Sequence, residues 1–188
     1  MTSFKPAKPT TSRVGRENQL YNPETGARMV AGCICLNDTR DRVLMILSSV
    51  HKDTWVLPKG GVESEESEDF AVAAARESWE EAGCEGCIGE KLPVVYDMRG
   101  KKAPVLEGQA RKDWDPGKIV PKLEFHFYTM EGVQLSPEWP ELKQRKRKWC
   151  TYSEARRELL KGKRVELVAA LEASCIVKDT DAVADAAS

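Results

Sequence analysis

Three carboxylates stand close together near the middle of this chain, in Trp55 to Cys84, WVLPKGGVESEESEDFAVAAARESWEEAGC. If the second half of that stretch is a helix, each residue advances about 100°, so Glu77 and Glu81 lie one turn apart and Glu80 falls in the same sector. Carboxylates crowded on one flank repel each other unless a cation sits among them. Hard oxygen ligands on a rigid backbone favour Mg²⁺, with Mn²⁺ as a substitute. The alternative is a solvated acidic helix face with no ligand.

The surrounding elements decide whether such a cluster can be held still. A short apolar strand around residues 54–57 leads into a Pro-Lys-Gly-Gly turn and an acidic loop. Ser64 to Ser67, with its serines and acids, carries the signals of a helix start. The helix body, DFAVAAARESWEEA, is built of strong helix formers and small residues, and Gly83 is placed to end it. Upstream, MVAGCICL and RVLMILSS read as two strands of a hairpin around the turn NDTRD, with RENQLYNPETGAR as an irregular or hairpin lead-in. Downstream, residues 87–97 read as a bent strand or strand pair. LEFHFYTME alternates strictly, with Phe125 and Phe127 on one face and Glu124, His126 and Tyr128 on the other. A last strand follows the basic run, then a helix capped by Ser153 through about Lys161 and another from about Val165 to Ala173. Mixed strands with terminal helices predict an α/β or α+β sandwich.

Length and composition suit one domain of about 18–177, with disordered ends at 1–17 and 178–188 and a long aperiodic loop insert at 98–118. The 188 residues are 41% apolar and 31% charged, with a net charge of −1, so nothing global marks a nucleic-acid coat. No apolar run approaches the roughly 20 residues of a membrane span. The opening MTSFKPAKPTTSR lacks the apolar stretch of a signal peptide, so a cytoplasmic place, alone or together with a nuclear one, is expected. Of the six cysteines, Cys33 and Cys35 read as small core residues on one strand face. Cys84 and Cys87 form a C-x-x-C with no second ligand pair, and all six are expected as free thiols.

Residues 60–84 resemble the signature of the Nudix hydrolases: a Gly, five residues, Glu, seven residues, then Arg-Glu-apolar-x-Glu-Glu-x-Gly-apolar. Glu68, seven residues, then Arg76-Glu77-Ser78-Trp79-Glu80-Glu81-Ala82-Gly83-Cys84 carry the likeness. Six residues rather than five separate Gly61 from Glu68, and Ser78 stands at an apolar position. The resemblance implies the Nudix α/β/α sandwich with a mixed central sheet and hydrolysis of a phosphoanhydride. It further implies Glu77 and Glu81 as metal ligands, Glu80 as general base, and a backbone carbonyl of the turn Lys59 to Gly61 completing the metal site. Arg76 either braces the loop through an acid such as Glu68 or makes a helix-surface ion pair.

ARMVAGCICL, SSVHKDTWVLPKGG, EEAGCEG and RKRKW are similar to the diphosphoinositol polyphosphate phosphohydrolases, and the lead-in RENQLYNPETGAR to their fungal members. Lys59 stands where animal members carry glycine. The likeness implies removal of the β-phosphate from inositol pyrophosphates, with diadenosine polyphosphates and inorganic polyphosphate as further substrates. The substrate-binding positions it implies are Arg28, Ser48, Ser49, Lys59, Lys122, Arg145 and Lys163, since such substrates need Arg forks and Lys point charges. Lys143 to Lys148 packs five cations into six residues. It serves either such a substrate or RNA, as in a decapping enzyme, and a catalytically silent inositol phosphate binder is the alternative of a different class. Glu124 is a candidate auxiliary metal ligand, His126 a partly exposed neighbour, and the molecule is expected to be a monomer.

Overall fold

The computed structural model describes residues 9–12, 15–51, 53–99 and 120–179. The bulk of the insert at 98–118, most of the N-terminal segment and all but two residues of the acidic tail lie outside the described residues. Asp179, at the start of that tail, accepts hydrogen bonds from the backbone N–H and hydroxyl of Ser153.

Among the described residues, eight strands form two sheets. The larger holds β1 (Arg28–Cys35), β4 (Lys59–Gly61), β5 (Cys84–Lys91), β6 (Val95–Asp97) and β7 (Leu123–Leu135). Its order is β4-β1-β7-β5, with β6 also paired to β7. β1 runs parallel to β7 from Arg28 opposite Leu123 to Cys35 opposite Met130, and the other pairings are antiparallel. The sheet is therefore mixed. β1 is a near-continuous apolar run because both its faces are covered, and Val30 through Cys35 are all buried. The smaller sheet, β3-β2-β8, joins β2 (Val43–Leu47), β3 (Trp55–Val56) and β8 (Arg147–Cys150).

The predicted hairpin of the first two strands survives only at its turn. Leu36 bridges to Val43 and Asn37 N–H donates to Arg42 O, after which the strands part into different sheets. Both edges of β1 are already taken, by β4 and β7, which leaves β2 to pair elsewhere.

Helix α1 (Phe70–Ala82) covers one face of the large sheet, packing on β1, β4, β5 and β7. The alternation of β7 sends His126 to that face, edge-on to Phe70 at 4.6 Å, and sends Phe125 to the other, under Arg164. Helices α2 (Tyr152–Lys161) and α3 (Val165–Ala173) pack on each other, α2 against the small sheet and α3 against β6. The result is the expected α+β sandwich with a mixed central sheet.

Two predicted helix starts move. Ser64–Glu66 is a separate 3₁₀ turn, and α1 begins at Phe70, where the Asp69 carboxylate accepts the N–H of Ala71. Helix α2 is capped by Thr151, whose side chain and that of Glu154 form a reciprocal box, while Ser153 turns to Asp179. The predicted end of α1 holds: Gly83 adopts φ 58°, a left-handed conformation that favours glycine. Cys33 and Cys35 are buried thiols as expected, Cys84 rests on the Met130 sulfur at 3.5 Å, and Cys87 is exposed.

Candidate active site

The Pro-Lys-Gly-Gly turn lays β4 along α1 so that backbone meets carboxylate. A Cβ built on Gly60 would come within 2.0 Å of the Glu77 carboxyl group, so the bare backbone there is a steric requirement. Glu81 Oε2 accepts the Lys59 backbone N–H at 2.8 Å. Glu80 and Glu81 are buried, with Glu77 beside them. Burial, reinforced by the Glu81 carboxylate, pushes Glu77 up to about 8. Burial also raises Glu81, against the pull of Lys59 and Arg145. A carboxyl such as Glu77 that holds its proton near neutrality because it is dry and crowded is suited to a divalent cation, which replaces that proton. Glu77, Glu80 and Glu81 are hard oxygen donors within about one helical turn, the type Mg²⁺ or Mn²⁺ takes, although as they stand no three acids among the described residues close around one point.

Arg76 holds the turn against the helix, but through a different acid from the one expected. Its guanidinium grips Glu66, Nε to Oε1 at 2.6 Å and Nη2 to Oε2 at 2.9 Å, and Nη2 also donates to Gly61 O at 2.9 Å. Nη1 donates to Glu77 at 2.7 Å and lies 3.7 Å from Glu80. Glu68 is exposed. Burial lowers the Arg76 pKa, and Glu66 and Glu77 more than reverse that. Counted from Gly60, five residues precede Glu66, so the spacing of the signature is intact there and the extra residues fall between Glu66 and α1. They lie in the segment Ser67–Asp69 that joins the 3₁₀ turn to α1, while Glu66 Oε2 also accepts the Glu63 N–H.

Of the seven expected substrate contacts, Lys59 and Arg145 reach the carboxylates. Arg145 Nη2 donates to Glu81 Oε1 at 2.5 Å, and its Nε to Glu141. The Lys59 ammonium donates to Leu57 O at 3.3 Å, and burial brings it down to about 8 although Glu81 opposes that shift. Ser48 and Lys163 line a cavity of about 550 Å³ with His51, Thr54, Arg99 and Arg164. Val56 of β3 also lines it, two residues before the turn, and the Arg164 charge is felt at Lys59, so cavity and carboxylates are neighbours. Arg28 hydrogen-bonds Gln19 at 2.8 Å and is felt by Glu77. Ser49 is exposed and is not among the residues lining the cavity, and Lys122 is exposed between Arg28 and Asp97, to which its backbone connects.

The basic run is not one solvated patch. Arg147 donates to Ala82 O at 2.5 Å and Ser136 O at 2.7 Å, closing the C-terminal end of α1 while stacking 4.0 Å over Trp139. Lys148 pairs with Glu158 at 3.1 Å above the Trp55 ring. Sequence reasoning missed Arg99 and Arg164. The first is held by Asp97 through two hydrogen bonds of 2.8 and 2.9 Å and donates to Lys163 O; the second pairs with buried Glu166 at 2.5 Å. Nothing periodic marks Arg99 in its stretch. Glu124 is engaged elsewhere, bonding Asn22 and His126 at 2.8 Å each. His126 is buried rather than partly exposed, and burial lowers its pKa despite Glu124.

No helix among the described residues is long and apolar enough to cross a membrane. Residues 26–171 match the NUDIX domain. The chain is 40% identical over 125 residues to diphosphoinositol polyphosphate phosphohydrolase 3-alpha of Mus musculus, covering 63% of this chain and 74% of the relative. It is 30% identical over 160 residues to Nudix hydrolase 12, mitochondrial, of Arabidopsis thaliana, covering 77% and 71%. Among solved structures, one described under MutT from Aliivibrio salmonicida and Vibrio cholerae aligns at a TM-score of 0.43 and 16% identity, over 76% of this chain and 96% of that one. A domain match across most of the chain, on a fold whose turn and helix present Glu77, Glu80 and Glu81 together, makes this chain a member of the Nudix hydrolase family.

Proposed function

We propose that this Nudix hydrolase removes the β-phosphate of diphosphoinositol polyphosphates in a Mg²⁺-dependent reaction, and also cleaves diadenosine polyphosphates and inorganic polyphosphate. The observation that carries the reading is the junction of two features: a triple-glutamate cluster in which Glu80 and Glu81 are buried, and beside it a cavity of about 550 Å³ walled by Arg99, Lys161, Lys163 and Arg164. A substrate with many phosphates needs several cations at fixed spacing, and Arg99 and Arg164 are fixed by Asp97 and Glu166. The relatives named for diphosphoinositol polyphosphates support the same substrate class.

Glu77 and Glu81 hold the metal, with a carbonyl of the turn Lys59 to Gly61. The cation, when bound, neutralises phosphoryl charge and acidifies a water. Glu80, in the same buried cluster 3.7 Å from Arg76, takes the proton of the attacking water as general base. Arg76 keeps that flank of the helix from drifting by tying it to Glu66 and Gly61 O. Lys59 and Arg145 supply positive charge where the phosphoryl oxygens arrive. The ring phosphates rest among the cavity cations, with Ser48 at its wall. The domain spans about 18–177, and the enzyme acts as a monomer.

Product formation, read as phosphate from an inositol pyrophosphate and as nucleotide from diadenosine hexaphosphate and capped RNA, measured for wild type and Glu80→Gln, tests this. The substitution lowers turnover about 10²–10⁴-fold. Full turnover by Glu80→Gln refutes the catalytic assignment, and a clear preference for capped RNA refutes the substrate class.

A further inference from the structure

Arg145 is the one cation of the basic run that touches the carboxylate cluster among the described residues, and it does so by a bridge. Its guanidinium donates through Nε to Glu141, one helical turn back, through Nη2 to Glu81 Oε1 at 2.5 Å, and through Nη1 to Leu47 O at 3.3 Å. The backbone beneath it is fixed at both ends. On one side Glu141 N–H donates to Glu80 O at 3.2 Å; on the other Arg147 is bound to Ala82 O and Ser136 O. The end of the Arg145 side chain is thus the adjustable part of an otherwise anchored segment.

Both oxygens of Glu81 have partners: Oε2 takes the Lys59 N–H and Oε1 takes Arg145. A carboxylate cannot give its charge fully to a guanidinium and to a divalent cation at once, because the two positive groups repel at contact distance. Leu47, whose carbonyl receives Nη1, directly precedes Ser48 in the wall of the cavity. An Arg145 released from Glu81 and still gripped by Glu141 therefore has its free edge toward the cavity.

We propose that Arg145 is a two-position side chain. It neutralises Glu81 while the site lacks a metal, and it turns to a substrate phosphate when Glu81 ligates a divalent cation. Glu141 is the positioning residue that holds Nε in both positions. The inference rests on the reading of Glu81 as a metal ligand. It makes metal and phosphate binding cooperative through one residue, since each makes the other's partner available.

Two measurements on the full chain test it, neither needing turnover. Phenylglyoxal labelling with peptide mass spectrometry follows Arg145 with and without Mg²⁺; Arg145 becomes several-fold more reactive with Mg²⁺, while Arg147 does not change. Mn²⁺ affinity by electron paramagnetic resonance is then compared for wild type, Arg145→Met and Glu81→Gln. Removing the competitor tightens Mn²⁺ binding in Arg145→Met by roughly fivefold, and Glu81→Gln weakens it. If Glu81→Gln binds Mn²⁺ as wild type does, the metal-ligand reading itself fails. If Glu81→Gln weakens binding but Arg145 labels equally with and without Mg²⁺, or Arg145→Met binds Mn²⁺ no tighter, the two-position proposal alone is overturned. For Glu141→Gln, phosphate release from an inositol pyrophosphate shows KM raised about tenfold with kcat nearly unchanged, as expected for a misaimed charge-assisted hydrogen bond. A fall in kcat at unchanged KM overturns the positioning role.

Discussion

Replacing Glu66 by alanine separates the two acids that could brace Arg76. Arg76 is 4% exposed and Glu66 equally so, and their contact is a two-bond fork of 2.6 and 2.9 Å. Removing the carboxylate leaves a buried guanidinium facing a void, with Gly61 O and Glu77 as its remaining close acceptors. Breaking a buried pair by deleting one partner costs about 3–5 kcal/mol. For a chain of this size that is a fall of roughly 6–20 °C in Tm. The loss of Glu66 also frees the Glu63 N–H, which works in the same direction. Glu68 is exposed, so Glu68→Ala stays within about 0.5 kcal/mol of wild type. Urea denaturation of the two variants beside wild type measures both. Equal midpoints for Glu66→Ala and Glu68→Ala, or the larger loss in Glu68→Ala, refute the assignment of Glu66 as the brace.

Gly60→Ala places a methyl group where the Glu77 carboxyl lies, so Mn²⁺ binding is lost while the far-ultraviolet circular dichroism stays near that of wild type; undiminished Mn²⁺ affinity contradicts the close approach. The pH dependence follows from Glu77, whose folded-state pKa near 8 exceeds its ordinary 4.5. The folded form holds the extra proton between those values, so the Glu77 contribution to stability is lost as pH rises from 4.5 to about 8, and the Tm of the metal-free protein in EDTA falls between about 6 and about 8. The depressed Lys59 acts with the opposite sign above about 8, which bounds the window, and a Tm in EDTA that rises between 6 and 8 refutes the account.

The legible part of this molecule was the part set by period and by fixed spacing. Helix α1, its glycine stop and the three glutamates follow from residue order, because a helix converts spacing into direction without help from the rest of the chain. The same holds for β7, whose alternation places Phe125 and His126 on opposite faces. What failed depended on tertiary competition. Glu66 and Glu68 differ little in local sequence, and the choice between them is made by where the 3₁₀ turn aims its carboxylates. The hairpin reading of the first two strands failed because parallel pairing with β7 nearly a hundred residues later claims an edge of β1. The cavity arginines were invisible for a related reason: Arg99 and Arg164 come from segments far apart in sequence, aligned by Asp97 and Glu166.

Contiguous charge in a sequence says little about contiguous charge on a surface, and the basic run makes the point testable. Of its five cations, Arg145 and Arg147 turn toward α1 and Lys148 lies between Glu158 and the Trp55 ring, leaving Lys143 and Lys146 as the exposed pair. A five-cation patch on single-stranded RNA would lose affinity with a slope of about −3.5 in log salt, at about −0.7 per phosphate; two cations account for about −1.4. RNA affinity carried by this run therefore has the shallow slope. Titrating a short single-stranded RNA by fluorescence anisotropy at several salt concentrations, Lys143→Gln and Lys146→Gln each flatten the slope by about 0.7, and Lys148→Gln does not. If Lys148→Gln flattens it as much as the other two, the inward cations are recruitable and the run works as a nucleic-acid patch after all. If it does not, the run's sequence prominence comes from fastening a loop to α1 and holding Arg145 beside Glu81.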